Sequence, residues 1–153
     1  MDRWIQAIDD LHHGGYLNSI SRHFAMRLYS LEENSQLALA AALAEEALLS
    51  GDLCYRVGSE EAIELDAQGK GRGMVVQLPP EGEWLAALHR SNLIGPNPSP
   101  LVLDDAGRLY LGRYHDYQER LARQLVGRTC PQPLPLEATQ IQGLLEPLFP
   151  ERV

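Results

Sequence analysis

The residues with the most chemical potential lie between 108 and 128, where arginine and tyrosine crowd together. Arg108, Arg113, Arg120, Arg123 and Arg128 are opposed there only by Asp116 and Glu119, a local surplus of three positive charges. Tyr110, Tyr114 and Tyr117 lie among them. Such a group offers recognition rather than bond-making. Arginine is enriched at interface hot spots, and exposed tyrosines beside it strengthen that reading. Arg108, Tyr110, Arg113, Tyr114, Tyr117, Arg120 and Arg123 are therefore the candidate partner surface. The competing reading is a solvated helix face on which Glu119 and Arg123, four apart, pair with each other.

Other reactive residue types occur without the company that catalysis needs. Asp9, Asp10, His12 and His13 cluster, and carboxylates with neutral imidazoles can bind zinc or manganese. Adjacent helix residues point about 100° apart, so His12 and His13 converge poorly, and a solvated helix end explains the cluster. Cys54 follows an apolar helix, the setting of a small buried hydrophobe more than of a thiolate. There is no Gly-x-Ser-x-Gly, and no histidine is placed beside a serine by local spacing. His23, His89 and His115 stand alone and are expected in packing or on the surface. Asp104-Asp105 reads as turn chemistry. The expectation is a chain with no catalytic, metal or cofactor-binding residues.

Composition narrows the class. The chain has 153 residues and 44% hydrophobic content, enough for one domain with a substantial core. No apolar run is long enough to span a membrane, and the start of the chain lacks the pattern of a signal peptide. Two widely separated cysteines, Cys54 and Cys130, fit a reduced, cytoplasmic protein better than a disulfide framework. The net charge of −8 resides in residues 1–66, and the remainder is neutral. Such a chain repels a DNA backbone on average.

The elements that must position these residues can be read from periodicity and punctuation. A helix is expected over 2–12, capped by Asp2, and another over about 19–31 with Ile20, Phe24 and Leu28 as its apolar stripe. From Leu37 to Leu49, eleven of thirteen residues are Ala or Leu. A helix apolar nearly all round is buried on several sides, so this one is expected as the central post, closed near Gly51. Residues 53–57 and 74–78 suit short strands, and 81–91 suits a helix with Trp84, Leu85 and Leu88 inward. The prolines of 94–100 make a rigid connector. Leu101–Leu103 and Leu109–Leu111 flank an Asp-Asp-Ala-Gly turn and predict a hairpin over about 101–111. After Gly112 the period changes to 3.6, placing Tyr114, Tyr117, Leu121 and Leu125 on one helix face. A last helix is expected over about 137–148. The fold class is mainly α: a bundle-like domain with a small β-hairpin and room for one or two further short strands.

Several of these pieces, taken in order, resemble the N-terminal domain of RecD, the alpha chain of exodeoxyribonuclease V. They are Pro100-Leu-Val-Leu, the run Arg-Leu-Tyr-Leu-Gly-Arg at 108–113, and Glu-Arg-Leu-Ala-Arg-Gln-Leu at 119–125. The Ala- and Leu-rich segment 40–54, Trp84 and the closing 144–150 extend the resemblance over most of the chain. It departs from the family at Asp52, where a histidine commonly follows the glycine, so no role needing an imidazole is expected there.

The resemblance implies that 1–153 is one domain and that the ATPase and helicase motor lies outside this chain. ATP and magnesium are then expected only in the motor. The one Gly-Lys here, Gly69-Lys70, has Glu64 where a phosphate loop needs its first glycine and Gly71 where it needs Ser or Thr. The family's work is processing double-strand DNA ends for repair and recombination. The expected partners are the gamma chain (RecC), first, and the beta chain (RecB), with DNA met only through the full complex. The role implied for this chain is non-catalytic assembly. A different class remains alongside it: a free-standing winged-helix-like DNA-binding or regulatory module, reading DNA with the helix at 35–49 and the hairpin at 101–111.

Overall fold

The computed structural model describes residues 2–65, 73–96, 98–129 and 136–148. The Gly69-Lys70 pair, Cys130 and most of the proline-broken stretch after Thr129 lie outside them. The chain divides into two compact units, Met1–Glu119 and Arg120–Val153.

The first unit is built on α3, Ser35–Leu49. Every residue from Leu37 to Ala44 is buried, because alanines let neighbouring helices close in on several sides while the leucines fill the gaps. Asn34 starts the helix by accepting the Leu37 N–H at 3.0 Å. Helix α1, Arg3–His13, is capped by Asp2 as expected and buries Ile5, Ala7, Ile8 and Leu11. Helix α2, Ser19–Leu31, is capped by Asn18, whose Oδ1 accepts from Ile20 and Ser21. Its inward face differs from the expected stripe. Ser21, Ala25 and Leu28 are buried, whereas Ile20 is 63% exposed. The helix turns small residues toward the alanines of α3, and a β-branched side chain at 20 is left outside.

Strands are short. Strand β1, Tyr55–Arg56, pairs antiparallel with β5, Arg108–Leu111, which pairs in turn with β4, Leu101–Leu103. The β4–β5 hairpin is the one expected, and Gly107 adopts φ 74°, a conformation that suits glycine. A second hairpin joins β2, Ala62–Leu65, to β3, Met74–Gln77. Ile63 and Leu65, set among acids in the sequence, are its inward side, with Val76 opposite Ile63. Helix α4, Glu81–His89, buries Trp84, Ala87 and Leu88, while Leu85 is only partly covered.

Helix α5, Gly112–Thr129, starts at the glycine rather than after it. A Cβ on Gly112 would collide with the Ser99 carbonyl, and the Gly112 N–H donates to the Pro100 carbonyl at 2.8 Å. Glycine thus lets the helix begin against the connector. In the second unit, α6, Ala138–Leu145, opens on a capping box of Glu137 and Gln140. Among the described residues of that unit, none is buried. No helix among the described residues is long and apolar enough to cross a membrane.

Candidate partner surface

The hairpin and the start of α5 hold the first five candidates. Arg108 and Asp104 close the β4–β5 turn, with Nε on Oδ2 at 2.7 Å. Asp104 Oδ1 also accepts the N–H groups of Ala106 and Arg108. Slight burial works against the carboxylate, but these hydrogen bonds outweigh it and hold Asp104 below the usual carboxylate range. Arg108 is therefore spent on its own turn. Tyr110 is buried, its hydroxyl 3.4 Å from Asp104 Oδ2 and its ring edge-on to His115 at 5.0 Å. Burial, then Cys54 and Asp104, push that hydroxyl's pKa up. These two residues are hairpin framework more than displayed surface.

Arg113, Tyr114 and Tyr117 are displayed. Arg113 Nε donates to the Tyr117 hydroxyl at 2.8 Å, and its guanidinium carbon sits 5.4 Å from that ring's centre. Tyr114 and Tyr117 meet edge to face at 6.0 Å. They are 39% and 44% exposed, so the cluster is ordered by its own contacts and open to solvent. It lines an open groove of about 590 Å³ with Phe24, Pro98, Pro100 and Leu111. The sequence reading missed Phe24 and the two prolines as groove walls. Their signal was present as an aromatic on α2 and a stiff connector, but only folding brings them together.

The remaining candidates, Arg120 and Arg123, belong to the second unit and are exposed there, as are Leu121, Leu125 and Val126. The helix face that carries Tyr114, Tyr117, Leu121 and Leu125 is exposed at each of these positions, by more than a third.

The other reactive residues are occupied structurally. Asp9 pairs with Arg22 at 2.8 Å, Asp10 accepts from Gln6, and His12 Nδ1 lies 2.9 Å from the Leu17 carbonyl. Among the described residues, no three His, Cys, Asp or Glu side chains are placed to hold a metal ion. Cys54 is partly buried rather than part of the core. Helix α3, which would have to read DNA in a winged-helix arrangement, is sealed from Leu37 to Ala44.

The chain is thus mainly α with two small antiparallel sheets, and the side chains displayed at the start of α5 are aromatic and cationic. Residues 13–110 match the family described as the RecBCD enzyme subunit RecD, N-terminal domain, and the chain belongs to that family. The RecBCD enzyme subunit RecD from two strains of Mycobacterium tuberculosis, CDC 1551 / Oshkosh and H37Rv, is similar as well. Each is 32% identical over 114 residues, which cover 73% of this chain and 18% of the relative. The chain therefore spans less than a fifth of the length of these curated relatives.

Proposed function

We propose that this chain is the non-catalytic assembly domain of a RecD-type alpha subunit, docking a 5′-to-3′ helicase motor into a RecBCD-type complex. Its principal partner is the gamma chain, and the beta chain is secondary. DNA is engaged by the whole complex during double-strand break repair and recombination in the cytoplasm. The observation that carries this reading is the exposed Arg113–Tyr114–Tyr117 cluster on a groove, in a chain of this family. Tyrosine and arginine supply large contact area with directional bonds, and both are over-represented where alanine substitution weakens an interface most. The net charge of −8 favours a protein partner over the phosphate backbone.

The test is capture of purified beta and gamma chains from the encoding organism by this chain. Wild type should retain the gamma chain, and Tyr114→Ala with Tyr117→Ala should weaken retention by about a hundredfold, as for two hot-spot residues. A second variant, Arg120→Glu with Arg123→Glu, reports whether the second unit contributes. Retention of neither chain by the wild type overturns the reading.

A further inference from the structure

A second cleft, sharing no residue with the groove at Tyr114, lies in the acidic half of the first unit. Its volume is about 380 Å³, and Tyr16, Glu46, Asp52, Tyr55, Arg56 and Glu60 are among its walls. Three elements supply them. Glu46 lies in the last turn of α3, and its Oε2 is fixed by the Asn18 N–H at 3.0 Å and the Ser21 hydroxyl at 2.9 Å. Tyr16 precedes α2. Tyr55 stands on β1, and Glu60 follows in the loop toward β2. Arg56 is the only basic residue in the lining. It is exposed and, among the described residues, forms no ion pair with the three carboxylates. The cleft therefore carries an excess of negative charge.

Tyr55 gives an independent sign that the cleft is incomplete. The residue is only 9% exposed, one side of its ring lies against Trp84 at 6.0 Å, and its hydroxyl has no hydrogen-bond partner among the described residues. Buried hydroxyls are almost always paired, because an unpaired one loses water and receives nothing in return. Burial, then Glu60, push the pKa of Tyr55 up, while the Ser59 side chain beside the hydroxyl pulls the other way without the geometry of a full hydrogen bond. Burial, then Glu60 and Glu46, do the same to Tyr16. Tyr55, Ser59 and Glu60 all line the cleft.

The ligand chemistry follows from charge and spacing. The carboxylates are too dispersed to share one metal ion, as the described residues contain no such cluster. A planar organic cation spans more. Guanidinium carries five N–H donors in a fork that matches carboxylates, and its face stacks on aromatic rings. We propose that this cleft receives the guanidinium group of an arginine presented by a protein partner. Glu46 and Glu60 accept its N–H donors, Tyr16 flanks its plane, and the Tyr55 oxygen accepts a remaining N–H. The identity of the source as a partner rests on the assembly reading; the chemistry of the cleft does not.

The experiment is an NMR titration of the full ¹⁵N-labelled chain with N-acetyl-arginine amide, using N-acetyl-citrulline amide as the uncharged isostere. Arginine should give saturable shifts centred on Tyr55, Arg56 and Ser59, and citrulline should leave them in place. Glu60→Gln, at an exposed position, should weaken arginine binding about tenfold, as expected for loss of a charge-assisted pair. Tyr55→Phe should weaken it too, while raising the melting temperature of the free chain. Equal response to citrulline, absence of shifts up to about 50 mM arginine amide, or undiminished affinity in Glu60→Gln would each overturn the proposal. Gamma-chain capture by wild type and Glu60→Gln separates the two readings. Lost capture with intact arginine binding counts against assembly alone, and intact capture without arginine binding counts against the cleft alone.

Discussion

Trp84 donates its indole N–H to the carbonyl of Gln36 at 2.9 Å, tying α4 to the first turn of α3 across 48 residues of sequence. The indole is fully buried, so one residue supplies both apolar volume and a partner for a backbone carbonyl that is part-buried. Trp84→Ala should cost about 3–5 kcal/mol, and Trp84→Phe should cost less, since it removes the indole donor together with its bond while the Gln36 carbonyl keeps its partner in the α3 helix ladder. Urea unfolding of the three proteins measures both. A Phe variant as unstable as the Ala variant would show that the hydrogen bond, not volume, dominates.

Gly112 predicts a sharper steric effect. Gly112→Ala drives a methyl into the Ser99 carbonyl, which is backbone and cannot swing aside. The expected loss is about 1–3 kcal/mol, the range for forced overpacking, despite the better helix propensity of alanine. Gly127→Ala is the control on the same helix, since nothing lies near its added Cβ. It should be neutral or slightly stabilising in the same unfolding assay.

The position of α2 is tested at Ile20 and Ala25. Ile20→Ser, at a site 63% exposed, should change stability by no more than about 0.5 kcal/mol. Ala25→Leu, at a site with no exposure, should cost about 1–3 kcal/mol by overpacking. The reverse ranking would restore Ile20 to the core.

Asp104 makes the β4–β5 turn acid-sensitive. Its folded pKa lies below the ordinary value, so its contribution is present above about pH 4, the unfolded carboxylate value. That contribution is lost as the pH falls through the lower folded value. The pair lies at the surface with Arg108 half exposed, so solvent screening keeps the effect small, about 1 kcal/mol or less. Asp104→Asn should flatten the stability profile between about pH 4 and 2 relative to wild type, read by thermal unfolding across that range.

Tyr55→Phe offers a stability gain. Removing an enclosed hydroxyl without a partner should stabilise the free chain by about 1 kcal/mol, measured as a raised urea midpoint. A loss instead would mean that the hydroxyl is satisfied within the fold.

The local elements were legible because short-range physics sets them. Asp2, Asn18 and Asn34 cap helices with side-chain oxygens, and the Asp-Asp-Ala-Gly turn with Gly107 at positive φ fixes the hairpin register within a few residues. The burial of α3 was likewise written in its alanines and leucines. Other features depend on which surfaces meet. Periodicity placed Ile20 in an apolar stripe and Tyr114, Tyr117, Leu121 and Leu125 on one helix face, but it reports only that a face is apolar, not whether something covers it. The structure leaves all five exposed. Gathering Phe24, Pro100 and Tyr117 around one groove, or Tyr16, Glu46 and Tyr55 around one cleft, takes segments dozens of residues apart. The sequence by itself therefore determined the Asp2 cap, the turn, the central helix and the family resemblance. Only tertiary packing decided which tyrosines are framework, which are displayed and which hydroxyl is left without a partner, because those outcomes depend on long-range neighbours.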